Sequence, residues 1–168
     1  MICRLANSND LSVLEIMFKE IVKNMHNHGI TIWNEYYPFE EFEIDIQKNQ
    51  LYLLVDNNEI FATFVLYPSD TSDCFAWKSK DKEAMLLNRL GVNVKYLKQG
   101  VAFKVLDEAK KIAKKKNFKY LRLAVVDSNI PAINLYKKYG FKKVDGIYKE
   151  YIKERDITLV EYGFELKI

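Results

Sequence analysis

Leu90-Gly91-Val92-Asn93-Val94-Lys95-Tyr96-Leu97-Lys98-Gln99-Gly100-Val101-Ala102 is the stretch on which the fold turns. It reads as an apolar strand, a short polar turn and the start of an amphipathic helix. Ala102, Val105, Leu106, Ala109, Ile112 and Ala113 recur at helical spacing and give one apolar face to a helix from Gln99 to about Lys116. Strands are expected on either side, over Ala84 to Val92 and Tyr120 to Val126. Strand, helix, strand in that order calls for a parallel pair joined by a right-handed crossover. The N–H groups at the start of such a helix suit a phosphate or pyrophosphate. Gly100 and Ala102 carry almost no side chain, so a ligand can reach the backbone there.

Outward from this unit the pattern changes several times. Residues 1–6 read as a strand, and Asn9 and Asp10 offer a helix start. Leu14, Met17, Phe18, Ile21, Val22 and Met25 follow at helical spacing until His26-Asn27-His28-Gly29. Residues 30–38 form an aromatic loop, and 39–49 a second, acidic helix. Leu51 to Val55 and Ile60 to Tyr67 flank Asp56-Asn57-Asn58, a hairpin turn. Residues 68–80 are polar and turn-rich. A short helix from about Asn129 to Tyr139 and two strands, near 141–152 and 157–166, complete the chain. The expected class is α/β (α+β), in the order β-α-α-β-β-β-α-β-α-β-β. Its sheet is mixed, mostly antiparallel and twisted, with helices on both faces. A single domain spanning 1–168 is expected, since no repeat, low-complexity tract or Pro/Gly-rich linker divides the chain.

Composition excludes several classes. Hydrophobic residues make up 49% and charged ones 29%, the balance of a globular chain and not a disordered one. A net charge of +3 is too small to point to nucleic acid as the main partner. Cys3 and Cys74 have no metal-site or disulfide-framework spacing. The N-terminus turns polar too soon for a signal-peptide core, and no apolar run approaches a membrane span, so a soluble cytoplasmic protein is expected. No metal is expected. His26 and His28 bracket one Asn without further ligands in view. Lys110, Lys111, Lys114, Lys115 and Lys116 occupy the last turns of a helix, where cations complement the dipole.

Asn129-Ile130-Pro131-Ala132-Ile133-Asn134-Leu135-Tyr136-Lys137-Lys138-Tyr139-Gly140-Phe141 is the second informative segment. Ser128 or Asn129 can cap the helix, and Pro131 in its first turn loses little by lacking an N–H. Ala132, Leu135, Tyr136 and Tyr139 share a face. Gly140 suits a left-handed C′ position that Phe141 closes.

Taken together, Arg89-Leu90-Gly91-Val92 with Gln99-Gly100-Val101-Ala102, and Asn129-x-Pro131-Ala132-x-x-Leu135-Tyr136-x-x-x-Gly140-Phe141, resemble the GCN5-related N-acetyltransferase (GNAT) family. The first set resembles that family's acetyl-CoA pyrophosphate loop, usually Q/R-x-x-G-x-G/A. The second resembles the segment after its fifth strand. Leu97 stands where the family usually has Arg or Gln, Lys98 where it often has Gly, and Val94 where Pro is common. Contacts to the anion there are mainly backbone N–H groups, and Lys98 supplies charge, so cofactor binding is expected to survive.

The resemblance implies acetyl transfer from acetyl-CoA to an amine by direct attack in a ternary complex. It places Leu90 and Val92 against the pantetheine arm and the thioester carbonyl, and residues 97–102 (Leu97, Lys98, Gln99, Gly100, Val101, Ala102) on the pyrophosphate. Asn129 is implied on the pantetheine arm, and Tyr136 near the sulfur as general acid. For the general base, Glu83, Glu35, His28 and Asp127 stay open. Trp33 and Tyr37, in the aromatic loop with Tyr36 and Pro38, are candidates for an acceptor wall, and Trp77 belongs to the same group. The expected acceptor is a small-molecule amine. A non-catalytic acyl-CoA-binding or sensor protein is the alternative on this fold, and a nucleic-acid or ribosome-associated module the alternative from another class. The aromatic loop and the C-terminal strands each offer a homodimer contact.

Overall fold

A computed structural model of the chain describes residues 1–70 and 74–168. Residues 71–73, inside the polar stretch expected over 68–80, lie outside the described residues. Two compact units emerge, Met1–Leu66 with Asn88–Glu108 and Tyr67–Leu87 with Ala109–Ile168. The class is a mostly antiparallel open sheet flanked by helices.

The first unit begins with β1 (Ile2–Leu5), followed by α1 (Leu11–Asn27) and α2 (Phe42–Gln47). Next come β2 (Leu51–Asp56), β3 (Glu59–Pro68), the second half of β4 (Ala84–Val92) and the first half of α3 (Val101–Lys115). Its strand order is β1-β2-β3-β4. The turn between β2 and β3 is Asn57-Asn58, both with positive φ (45° and 63°). Two left-handed residues define the turn whose twist matches a hairpin, and asparagine tolerates that region well. Leu14, Met17, Phe18 and Ile21 of α1 are buried. Phe18 meets Phe42 edge-on at 4.7 Å between centroids. Gly91 lets α1 come this close, for a Cβ there would stand 2.7 Å from Phe18 Cζ.

One boundary differs from the sequence reading. The helical start expected at Asn9 and Asp10 falls at Asn7, which is extended at φ −134° and leads a short turn, Ser8–Asp10, into α1. Asn9 N–H donates to Asn7 Oδ1 (3.0 Å), and Asn7 N–H donates to the Asp10 carboxylate (2.8 Å). This reciprocal pair satisfies two donors at once. Asp10 has a second task that local sequence does not show: Arg4 of β1 donates two bonds to it, at 2.8 and 2.7 Å. Those bonds hold its carboxyl below the usual range.

The second unit holds the first half of β4, the second half of α3, β5 (Tyr120–Val126), α4 (Ile130–Tyr139), β6 (Lys142–Lys143), β7 (Tyr148–Ile152) and β8 (Ile157–Lys167). Its order is β4-β5-β8-β6, with β7 also on β8. β4 and β5 are parallel, pairing Ala84 with Tyr120, Met85 with Leu121 and Leu86 with Arg122. The single strand expected near 141–152 is two. In the β6 register, Lys143 faces Phe164, which would bring Gly146 opposite Glu161. Tyr148 stands there instead, so two residues bulge out. The bulge centres on Gly146, left-handed at φ +99° and bridged to Phe75.

Candidate functional site

β4 delivers its C-terminal half to the loop before α3, and the backbone along this path is unusual. Arg89 has φ +48°, Lys98 +61° and Gly100 +76°. Among the described residues, the other non-glycine positions with positive φ lie in turns, whereas Arg89 lies within a strand. A short turn, Val94–Tyr96, follows β4. Asn93 Oδ1 caps it by accepting from Lys95 N–H (3.1 Å). Phe61 stacks on Tyr96 at 3.8 Å, and the Tyr96 hydroxyl donates to Glu59.

Leu97, Lys98, Gln99 and Gly100 are exposed between that turn and α3. Left-handed residues at 98 and 100 alternate with their neighbours, an arrangement that gathers N–H groups into an anion-sized concavity. Lys104 N–H donates to Gly100 O (3.2 Å), so the N–H groups of Val101, Ala102 and Phe103 precede the intrahelical ladder of α3. A Cβ on Gly100 would meet no atom within 4 Å, so the open space beside this backbone is real. Gln99 is turned the other way, its Nε2 donating to Lys95 O (3.1 Å). A phosphate-bearing group therefore fits the backbone here. Lys98, where a glycine is common in the family resembled, adopts the left-handed conformation that a glycine adopts freely. Leu90 and Val92 are half-buried on β4.

The aromatic loop also belongs to the first unit. Trp33 is half-buried, with its ring 5.6 Å from Phe18, and its carbonyl is bonded to His26 Nε2 (2.8 Å). Tyr37 is 38% exposed and Tyr36 60%, and Asn34 Oδ1 accepts from the N–H of each. His28 Nδ1 is bonded to Asn24 O (2.7 Å). Neither histidine is arranged as a ligand, and the described residues include no cluster of metal-ligating side chains.

In the second unit, Asn129 caps α4. Its Oδ1 accepts from Ala132 N–H (3.3 Å), which leaves the amide nitrogen for another partner. The helix closes as its sequence foretells. Gly140 is left-handed at φ +112°, its N–H donates to Lys137 O, and Phe141 N–H donates to Tyr136 O (3.0 Å). Tyr136 and Phe141 complete the motif with a ring contact of 5.8 Å. The buried face of α4 is Ile133 with Tyr136. Ala132, Leu135 and Tyr139, expected on it, are half-buried. Burial pushes the Tyr136 phenol up to about 12.

The carboxylates divide. Glu83 accepts a hydrogen bond from Lys119 Nζ (3.0 Å), which holds its carboxyl below the usual range. Glu161 of β8, which the sequence reading did not single out, is half-buried and is raised by burial and by the nearby charge of Glu150. Only the strand pairing that brings β7 onto β8 could have exposed it. Trp77, grouped with the acceptor aromatics by sequence, stacks instead on the Arg122 guanidinium at 4.8 Å.

A β-α-β unit with an open, N–H-rich turn before its helix is an arrangement that can receive a phosphate-bearing group. The chain belongs to the acetyltransferase (GNAT) family, whose model matches residues 17–141. Solved structures share the fold. A GNAT-family acetyltransferase from Streptococcus agalactiae 2603 is 14% identical, with a TM-score of 0.80 over 99% of this chain and 95% of its own. The ribosomal-protein-S18-alanine N-acetyltransferase of Escherichia coli is 19% identical, with a TM-score of 0.70 over 99% and 93%. A structure from Salmonella typhimurium containing its cofactor acetyl-CoA is 12% identical, with a TM-score of 0.67 over 99% and 93%. No curated protein matches the chain. Among the described residues, no helix is long and apolar enough to cross a membrane.

Proposed function

We propose that this chain is an acetyl-CoA-dependent N-acetyltransferase acting on a small-molecule amine, with both units serving one acetyltransferase domain. The observation that carries the reading is the turn before α3, with left-handed Lys98 and Gly100 and open space over Gly100. When bound there, acetyl-CoA supplies the acetyl group as a thioester.

In this reading residues 97–102 hold the pyrophosphate through the N–H groups of Lys98 to Ala102, the dipole of α3 adding to each contact, while the Leu97 N–H donates to Val94 O. Leu90 N–H donates to the thioester carbonyl oxygen and Val92 pairs with the pantetheine arm, a backbone counterpart of an oxyanion hole. The Asn129 amide nitrogen donates to the same arm while its oxygen keeps the helix cap. Tyr136 donates to the sulfur. A phenol raised to about 12 is fully protonated at neutral pH. It is a weaker acid than an ordinary thiol, so its contribution is a hydrogen bond to developing thiolate charge more than outright proton release. Trp33 and Tyr37 offer ring faces to the acceptor, suited to an ammonium or its carbon stem.

The first test is titration calorimetry with acetyl-CoA on the wild type and Gly100→Trp. Micromolar binding that the variant loses supports the site. A wild type that does not bind overturns the reading. An amine screen that follows thiol release then decides the acceptor. Transfer to small amines supports the proposal. Transfer to peptide N-termini alone replaces the small amine with a peptide, as the name of the Escherichia coli structure indicates for that protein. Binding without transfer to any amine makes the chain an acyl-CoA-binding protein.

A further inference from the structure

Arg89 is left-handed inside a strand, a conformation that an L-residue with a long side chain adopts only when its surroundings impose it. Two contacts do so. Its N–H donates to Asn88 Oδ1 (2.8 Å). Its guanidinium makes a two-pronged contact with Asp45 of α2, Nε to Oδ2 at 3.0 Å and Nη2 to Oδ1 at 2.8 Å. Both side chains are nearly sealed from water, at 11% and 4% exposed.

A buried ion pair is poor evidence of stability, since apolar residues of the same size serve as well or better. What it provides is geometry. Two parallel N–H···O bonds fix the guanidinium plane, and the aliphatic stem ties that plane to one Cα. Phe42, fully buried one turn before Asp45, anchors α2. The guanidinium stays charged: burial works against it, but the Asp45 bonds and the adjacent Tyr37 hydroxyl outweigh it and raise its pKa.

We infer that Arg89 and Asp45 are positioning residues that hold the left-handed turn of β4 directly before Leu90, so that side-chain clamping by α2, and not strand pairing, aims the Leu90 N–H. The inference rests on the proposed role of Leu90 at the thioester. Tyr37, beside the guanidinium, joins the aromatic loop to the same clamp.

Glycine and alanine separate conformation from contact at this position. Arg89→Gly removes the clamp but adopts positive φ freely, whereas Arg89→Ala removes the clamp and prefers negative φ. The readouts are thermal melting and the ratio of CoA to acetyl-CoA dissociation constants by calorimetry. That ratio reports the acetyl group alone, because the pyrophosphate contacts are common to both ligands. The wild type is expected to favour acetyl-CoA about fivefold, the net worth of one backbone hydrogen bond. Arg89→Gly keeps that preference. Arg89→Ala and Asp45→Asn lose it while binding CoA within about twofold of wild type. Equal ratios in wild type and Arg89→Ala, both folded, overturn the inference, as does a Gly variant that loses as much as Ala. A wild type that binds both ligands equally overturns it too and leaves the acetyltransferase reading standing. A wild type that binds neither overturns both. The amide NMR signals of Leu90 and Gly91 in the free protein test the clamp without any ligand. They should stay in place in Arg89→Gly and move in Arg89→Ala and Asp45→Asn.

Discussion

β4 and β5 each carry a buried arginine paired with a carboxylate, and the two are built differently. Arg122 of β5, in the second unit, is 1% exposed and saturated. It donates to Glu165 (3.2 Å), Ser69 Oγ (3.1 Å), Ser79 Oγ (3.0 Å), Asp81 and the Ser79 carbonyl, and stacks on Trp77. Glu165 also accepts from the N–H groups of Lys78 and Ser79 and from the Ser79 hydroxyl (2.5 Å). This network fastens residues 77–81 to β5 and β8. Arg89 of β4, in the first unit, has one carboxylate partner and an imposed backbone conformation. Satisfying a charge from many sides makes a rivet. Satisfying it from one side, with the backbone out of its preferred region, makes a lever on the next residue.

Breaking the rivet gives the largest expected effect. Arg122→Ala leaves Glu165 buried without its partner and should cost about 3–5 kcal/mol. Urea denaturation measures it, and a loss under about 1 kcal/mol would mean water enters freely and the network is no rivet. The same variant, in its folded fraction, should keep the wild-type preference for acetyl-CoA over CoA. If that preference vanishes, the distinction between the two arginines falls.

The second unit carries Tyr136, the proposed donor to the sulfur. Tyr136→Phe should lower kcat by about a hundredfold with KM for acetyl-CoA little changed. It should also change the alkaline limb of stability. The folded phenol titrates near 12 against 10.0 for the ordinary group, so the folded state holds its proton more tightly. That stabilisation is complete below pH 10 and is lost as pH rises toward 12. Melting across this range should fall more steeply in the wild type than in Tyr136→Phe, and parallel curves would place the phenol in water.

Smaller effects test the open backbone of the first unit. Gly100→Ala meets no steric obstacle, so its cost is the left-handed φ alone, about 1 kcal/mol. Lys98→Gly should recover a similar conformational strain, and calorimetry with acetyl-CoA then shows what the lysine charge adds to pyrophosphate binding. The smallest shift is expected at Glu161, whose carboxyl is raised by burial and by Glu150. A raised acid stabilises the fold below its ordinary pKa and loses that contribution as pH climbs through the folded value. Glu161→Gln should therefore melt slightly higher than the wild type at neutral pH and no higher in acid.

Much of this was legible in the chain. β5 and the closing motif of α4 coincide with their sequence limits, because Gly140, Phe141 and the apolar spacing act through contacts only a few residues long. α3 falls within its expected span for the same reason. The bulge after β6 was hidden, since it answers to Phe75, far off in sequence. The stacking of Trp77 on Arg122 was hidden as well, because nothing near Trp77 in sequence announces that arginine. The partner of Glu83 was hidden too, because Lys119 lies 36 residues away in sequence.

The sequence by itself determined the class of fold, the β-α-β unit, the closing cap of α4 and the small residues at the turn before α3. Each depends on periodicity or on a backbone preference acting within one or two turns. Tertiary structure alone decided which charges are buried, which carboxylate meets which arginine, and that β4 is left-handed at Arg89. Those outcomes depend on residues tens of positions apart, Asp45 with Arg89 and Glu165 with Arg122, brought together only when the sheet closes over its helices. A buried charge selects its partner by desolvation, and desolvation is a property of the folded whole.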